Sequence, residues 1–131
     1  MTSLAGAKER HIGTSPHPER YSPDTWTDEF AVSSRPGEAE IQADLFYDYR
    51  TNVASHPQWQ AWLREHRPPV LVVWRRYDPS FAVAGATAYK RDVRDAEVHI
   101  VDAGHFALDE AVDQIATLIR VFLEQQRLGP G

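Results

Sequence analysis

Two short apolar runs dominate the pattern of hydrophobic and polar positions in this chain. Val70–Trp74 is five consecutive apolar residues rich in valine, and the two prolines before it prevent a helix from running into it. A run this uniformly apolar is typical of a strand covered on both faces in a parallel sheet. In the second run, Glu97–Val101, successive side chains alternate between two faces. The pattern therefore predicts two strands.

Helical patterns lie between and after these runs. Residues 81–93 are long enough for a crossover helix, and a strand, a helix and a strand in succession form the unit that builds parallel sheets. From Glu110 to Gln126, apolar residues recur at helical spacing, and acidic residues stand at the start of the segment. This second pattern predicts a long C-terminal helix.

The first half of the chain carries weaker signals. Residues 1–20 hold Gly, Ser, Thr, Pro and charge with almost no large apolar side chain, which predicts a disordered N-terminal segment. Residues 21–34 predict a loop with one helical turn, because proline and several polar residues interrupt the aromatic ones. Gly37–Tyr49 has one apolar face at helical spacing, and Pro57 at a first helical turn predicts a separate short helix through Arg64.

An acid and a histidine follow the two predicted strands. Asp78 lies a few residues after the first strand and His105 a few after the second. In parallel sheets, ligands bind at the carboxyl ends of the strands, so both residues are expected at that edge. A carboxylate on one imidazole nitrogen prepares the other nitrogen to accept a proton. Asp78 could instead begin an ordinary Asp-Pro turn, and Asp102 is a rival acid, although it is only three residues from the histidine.

Several longer stretches resemble one known superfamily. WRRYDP resembles the acid loop of the α/β-hydrolase superfamily, and DAGHFALDE resembles its catalytic histidine loop and the start of its last helix. SPDTW, the Arg35-Pro36-Gly37 turn and DLFYDYRTNV with PQWQAW resemble the late lid and pre-strand region of hydrolases of the epoxide hydrolase and haloalkane dehalogenase type. The resemblance covers roughly residues 21–124.

The resemblance implies an α/β fold that is the C-terminal portion of an α/β-hydrolase. Two parallel strands, a crossover helix and a long C-terminal helix are expected, preceded by lid-type helices. The expected division has residues 1–20 disordered, a partial α/β-hydrolase domain over residues 21–127, and a tail over residues 128–131. Within the domain, residues 21–66 would be lid-derived helices and residues 68–127 the last two strands and helices.

The resemblance also assigns roles to particular residues. Asp78 would orient His105, and His105 would be the general base for a serine or aspartate nucleophile. Phe106 and Trp26 are the candidates for contact with substrate. Arg75 departs from the family, which usually has glycine directly after the strand, so the loop that holds Asp78 is expected to differ.

No nucleophile accompanies the pair. The family's nucleophile turn reads Gly-x-Ser-x-Gly, or has Asp at its centre, between a strand and a helix. The nearest match, Gly13-Thr14-Ser15-Pro16-His17, lacks the second glycine and follows no apolar strand. We therefore expect a fragment of a hydrolase acting on an ester, epoxide or carbon–halogen bond, inactive as an isolated chain. The alternative is a non-catalytic remnant or interaction module that pairs with another chain through its open strand edge.

Composition limits the classes of partner that this chain is expected to bind. A formal charge of −5 with scattered arginines argues against nucleic acid, and the chain has no cysteine. A metal site or a cofactor is not expected, and the substrate would be a small apolar molecule once the missing half is supplied. No apolar run approaches the roughly 18 residues of a membrane span, so a cytoplasmic protein without membrane partners is expected.

Overall fold

Helices surround a small parallel sheet in the computed structural model, which describes residues 3–128. Along the chain the elements are α1 (Leu4–Ile12), α2 (Pro23–Ser33), α3 (Glu38–His66), β1 (Leu71–Arg75), α4 (Val83–Asp92), β2 (Glu97–Val101), α5 (Ala107–Glu110) and α6 (Val112–Leu128). A single 3-10 turn, Pro18–Arg20, lies between α1 and α2. The α/β fold class is therefore confirmed.

The two predicted strands form the sheet. β1 and β2 pair in parallel, with Leu71 opposite Glu97 and Arg75 opposite Val101. β1 begins one residue later than predicted, and β2 has the predicted bounds. The pairing brings both carboxyl ends to one edge, so the residues that follow the strands are neighbours in space.

The predicted crossover helix is α4, which packs on β1 through a glycine. A Cβ added at Gly85 would lie 3.2 Å from the side chain of Trp74, so the small residue lets the helix approach the strand closely. Ala86 on the same helix is fully buried. Glycine lowers the stability of a helix, and this close contact with Trp74 explains why α4 nevertheless has one.

The long C-terminal helix, α6, is preceded by a separate short helix, α5. We predicted a continuous helix from Glu110, but α5 ends at that residue and α6 begins at Val112. Ala111 between them has φ −128° and ψ 28°, which is outside the helical region. The predicted tail over residues 128–131 begins within α6, which ends at Leu128, and its other residues lie outside the described ones.

The prediction of two separate helices over residues 37–64 is wrong. α3 is one helix of 29 residues with Pro57 inside it. The intervening segment contains no glycine, and the hydroxyls of Thr51 and Ser55 donate to helical carbonyls at 2.8 and 2.9 Å instead of ending the helix. None of the residues of α3 is buried, and its large apolar side chains are exposed, among them Leu45, Phe46, Trp59 and Trp62.

The predicted disorder of residues 1–20 is also wrong for most of that segment. Residues 4–12 form α1, whose first turn is capped by the Ser3 hydroxyl accepting from the Gly6 amide at 3.1 Å. Ala7 and His11 are buried against α2. A segment poor in large apolar residues gives no helical signal by itself, because its stability comes from this tertiary packing.

The predicted loop over residues 21–34 is a helix of three turns instead. Ser22 caps α2, and Pro23 occupies its first turn, where the missing amide hydrogen is tolerated. Trp26 is buried with Tyr21 and Ala7 in a small core against which Ile12 and Phe30 pack. We call α1 and α2 together the N-terminal helix pair. No helix among residues 3–128 is long and apolar enough to cross a membrane.

Candidate functional site

Asp78 and His105 meet at the carboxyl edge of the sheet. Beyond the strands, the amides of Arg76 and Tyr77 donate to the carbonyls of Val101 and Ala103 at 3.0 and 3.1 Å, which continues the pairing into the loops. The Nδ1 atom of His105 lies 3.0 Å from the Oδ2 atom of Asp78. Parallel pairing therefore brings together two residues that are 27 positions apart in the chain.

The Asp78 carboxylate is held in its charged form. Its side chain is 0% exposed, and its Oδ1 atom accepts from the amides of Ser80 and Phe81 at 2.7 and 3.1 Å. Burial by itself raises the pKa of Asp78, but the hydrogen bonds from Ser80, Arg75, His105 and Phe81 outweigh it, so the pKa is lowered. Asp78 is therefore ionised at neutral pH and accepts from the histidine.

Arg75 takes a direct part in this arrangement. It is the last residue of β1, and its Nε atom forms an ion pair with Oδ2 of Asp78, the oxygen that also contacts His105. Its guanidinium carbon lies 5.3 Å from the centre of the Phe81 ring. A cation where the family usually has glycine thus binds the acid loop to the end of the strand.

His105 is positioned by aromatic rings and remains accessible. Its side chain is 21% exposed, the Phe81 ring is nearly parallel to it at 5.9 Å, and Phe106 meets it edge-on at 4.9 Å. Because Nδ1 faces a carboxylate, the neutral ring carries its proton on Nδ1 and has a lone pair on Nε2. Among residues 3–128 no hydrogen bond to Nε2 is found. The arrangement can accept a proton.

Asp102, the rival acid, is placed elsewhere. Its side chain is 62% exposed, and its Oδ1 atom accepts from the Nε atom of Arg76 at 2.7 Å. Its proximity to His105 in sequence therefore does not lead to an ion pair between them.

The two predicted substrate contacts, Phe106 and Trp26, both lie against His11. The His11 ring stacks on Phe106 at 4.1 Å and meets Trp26 nearly edge-on at 6.1 Å. Its Nε2 atom is 2.8 Å from a carboxylate oxygen of Glu29, and the residue is 5% exposed. Trp26 is 8% exposed and belongs to the core of the N-terminal helix pair. Contact of Phe106 and Trp26 with substrate stays a prediction.

Two residues that contact the histidine loop, His11 and Glu110, were not singled out from the sequence. Oε2 of Glu110 accepts from the amide of Gly104, the residue before the histidine, at 2.9 Å. His11 lies in a stretch without apolar periodicity, and Glu110 reads as an ordinary acid at a helix start. No local sequence signal distinguishes either one, because their contacts are with residues of other elements.

No metal cluster lies at the pair among the described residues, and a large cleft lies elsewhere. Within residues 3–128, no group of three or more His, Cys, Asp or Glu side chains could hold a metal ion. A cleft of about 740 Å³ is lined by Arg64, Arg67, Val70, Asp95 and Phe122 among others, and neither Asp78 nor His105 borders it. This cleft lies toward the amino ends of the strands, away from the pair.

We expect the free energy of unfolding to fall as the pH drops below the ordinary value of 3.8 for the Asp78 carboxyl. A carboxyl whose pKa is lowered by folding stabilises the fold above its unfolded pKa, and this stabilisation is lost as the pH falls through the folded pKa. Urea unfolding of the parent and of Asp78→Asn, from about pH 6 to about pH 2.5, measures the effect. The variant should lose less stability across this window, and an equal decline in both proteins would contradict the prediction.

Comparison with known proteins agrees with the resemblance. The family model of the alpha/beta hydrolase fold matches residues 5–112, which is more than half of the chain. The chain is 42% identical over 107 residues to an uncharacterized hydrolase of Saccharomyces cerevisiae, a match that covers 81% of this chain and 37% of the yeast protein. No solved structure matches. With its parallel strands and the matched residues, the chain belongs to the α/β-hydrolase fold family.

Proposed function

We propose that Asp78 and His105 are the acid and the base of a hydrolytic active site. The observation that carries the proposal is the 3.0 Å contact between Asp78 Oδ2 and His105 Nδ1 at the carboxyl edge of β1 and β2. The reaction is the hydrolysis of an ester, an epoxide or a carbon–halogen bond in a small apolar substrate, and it needs no cofactor.

In this mechanism His105 moves a proton and Asp78 stabilises the resulting charge. With a serine nucleophile, Nε2 takes the hydroxyl proton as the oxygen attacks, and later returns it to the leaving group. With an aspartate nucleophile, the carboxylate attacks the substrate carbon and displaces the halide or opens the epoxide ring, which gives a covalent ester. Nε2 then takes a proton from the water that hydrolyses this ester. A base of this kind contributes about 10² to 10⁴ in rate.

The proposed site needs a nucleophile that these 131 residues do not supply in the family's motif. The chain contains no Gly-x-Ser-x-Gly or Gly-x-Asp-x-Gly motif, and its match spans only 37% of the length of the yeast relative. In the proposed complete site, residues 21–66 belong to the lid and place Trp26 near the pair, and Phe106 borders the substrate. The chain by itself is an incomplete catalyst.

A second candidate function is pairing with another polypeptide. β1 and β2 pair only with each other among the described residues, so each strand has an unpaired edge. The neighbouring helix α3 exposes large apolar side chains, such as Phe46 at 68% and Leu45 at 61%. Such a surface favours a further chain segment as its cover, and that segment could also bring the nucleophile.

Reading the coding DNA upstream of Met1 tests the source of the nucleophile. An in-frame or frameshifted Gly-x-Ser-x-Gly or Gly-x-Asp-x-Gly motif after an apolar strand supports a divided hydrolase. An upstream sequence that encodes no such strand and motif favours the pairing function instead.

We expect the purified 131-residue chain not to hydrolyse an activated ester such as p-nitrophenyl acetate above the level of its His105→Ala variant. A base without a nucleophile has nothing to activate. His99→Ala is the control for ester cleavage by any exposed imidazole, because the His99 side chain is also partly exposed, at 35%. Turnover that is lost in His105→Ala and kept in His99→Ala would overturn the prediction that the isolated chain is inactive.

A further inference from the structure

We propose that Glu110 is a positioning residue for His105, acting through the backbone amide of Gly104. The inference rests on the proposed role of His105 as a base. It identifies a carboxylate that takes no part in proton transfer and determines where the imidazole stands.

The hydrogen bond from Gly104 to Glu110 closes the histidine loop into a ring. The Gly104 amide donates to Oε2 of Glu110 at 2.9 Å, and the two residues are six positions apart. His105 is the next residue after Gly104, so the bond acts on the peptide unit to which the imidazole is attached. Glu110 itself is held as the last residue of α5. The loop therefore has a fixed point directly before the base.

Gly104 is also enclosed by His11 of α1 and by Tyr21, which lies between α1 and α2. A Cβ added at Gly104 would lie 2.1 Å from the backbone oxygen of His11 and 3.1 Å from the ring of Tyr21. It would also lie 3.3 Å from Oε1 of Glu110. Real Cβ atoms essentially never approach a backbone oxygen so closely, so only glycine fits here. Packing limits the loop from one side, and Glu110 holds its amide on the other.

The cost of burying Glu110 argues against a purely stabilising role. Burial raises the pKa of Glu110, although the hydrogen bonds from Gly104 and Tyr21 and the interaction with His11 act in the opposite direction. Because the folded-state pKa is raised, the ionised side chain opposes folding once the pH rises above the ordinary value of 4.5. The role of the Glu110 carboxylate is therefore to hold the backbone directly before His105 in place.

Nuclear magnetic resonance of the 131-residue chain tests the proposal without needing turnover. The tautomer of neutral His105 is read from long-range ¹H–¹⁵N correlations, and the hydrogen exchange rate of the Gly104 amide is measured in parallel. In the parent, His105 is expected in the Nδ1–H form because Asp78 accepts from Nδ1. In Glu110→Ala, the Nε2–H form should appear and Gly104 should exchange about tenfold faster or more.

Rescue separates a positioning role from general stability. Glu110→Gln keeps an acceptor oxygen at the same reach, so it should restore both readouts, whereas the shorter Glu110→Asp should not. Asp109→Ala is the matched control, because this neighbouring carboxylate of α5 is exposed, and it should leave both readouts unchanged. If Glu110→Ala does not fold, the comparison of the Gln and Asp variants decides the question.

Three results would overturn the proposal. These are a folded Glu110→Ala with the parent's His105 tautomer and Gly104 exchange, the same disturbance in Asp109→Ala, and equal behaviour of the Gln and Asp variants. A parent chain whose neutral His105 is in the Nε2–H form would instead contradict the acid–base pair of the proposed function. In that case the exchange rate of Gly104 still tests the bond to Glu110.

Discussion

Asp78→Asn is expected to lower the turnover of the hydrolase completed around this chain by about 10⁴-fold. Asparagine keeps the size and shape of the aspartate but removes its charge. The amide no longer stabilises the imidazolium that forms at His105, and it allows the ring to carry its proton on Nε2, where the base needs a lone pair. KM should change little, because the Asp78 side chain is fully buried behind His105.

The measurement is kcat and KM of the parent and two variants, each with the upstream polypeptide supplied. Asp102→Asn is the matched control, since it makes the same chemical change in a carboxylate that is 62% exposed and bonded to Arg76. It should retain turnover within about twofold, as surface substitutions do. Unchanged turnover in Asp78→Asn together with a loss in Asp102→Asn would move the role of the acid to Asp102.

Gly13→Ala is expected to lower the free energy of unfolding by about 3 kcal/mol. Gly13 ends α1 with φ 57° and ψ −129°, a combination that residues with a Cβ rarely adopt. The added Cβ would lie 1.9 Å from the backbone oxygen of Tyr77, the residue before Asp78. The adjacent Thr14 amide donates to the same oxygen at 3.3 Å, so the close approach also holds a hydrogen bond.

Urea unfolding of Gly13→Ala beside Gly37→Ala isolates the contact. Gly37 also has a positive φ, 86°, but an added Cβ there meets nothing within 4 Å. That variant should therefore lose only the backbone preference, about 1 kcal/mol. Equal losses in the two variants would mean that the end of α1 does not rest on the acid loop.

Local patterns predicted the central strands and the crossover helix. The valine-rich run before Trp74 and the alternation in Glu97–Val101 have signals contained within a few residues, and β1 and β2 formed within one residue of the expected bounds. Helix ends and breaks were less predictable. Pro57 indicated a helix start because proline suits a first turn, yet the residues before it continue as helix, and α3 runs through it.

Local sequence patterns did not predict the N-terminal helix pair. α1 has few large apolar side chains, and its helix is stabilised by burial of Ala7 and His11 and by the contacts of Arg10 and His11 with Glu29. Glu29 lies 19 residues after Arg10 and 18 after His11. Composition describes a segment in isolation, so it indicated disorder where tertiary contacts produce a helix.

The sequence by itself determined that an acid and a histidine follow two parallel strands, because strand formation and the edge where such residues collect depend on short-range pattern and chain direction. Only the tertiary structure decided that His105 contacts Asp78 and not Asp102, that Arg75 shares the Asp78 oxygen, and that Glu110 holds the amide before the histidine. Each of these contacts joins residues on different elements or loops. They are set by how the loops and the N-terminal helix pair pack together, which no local pattern records.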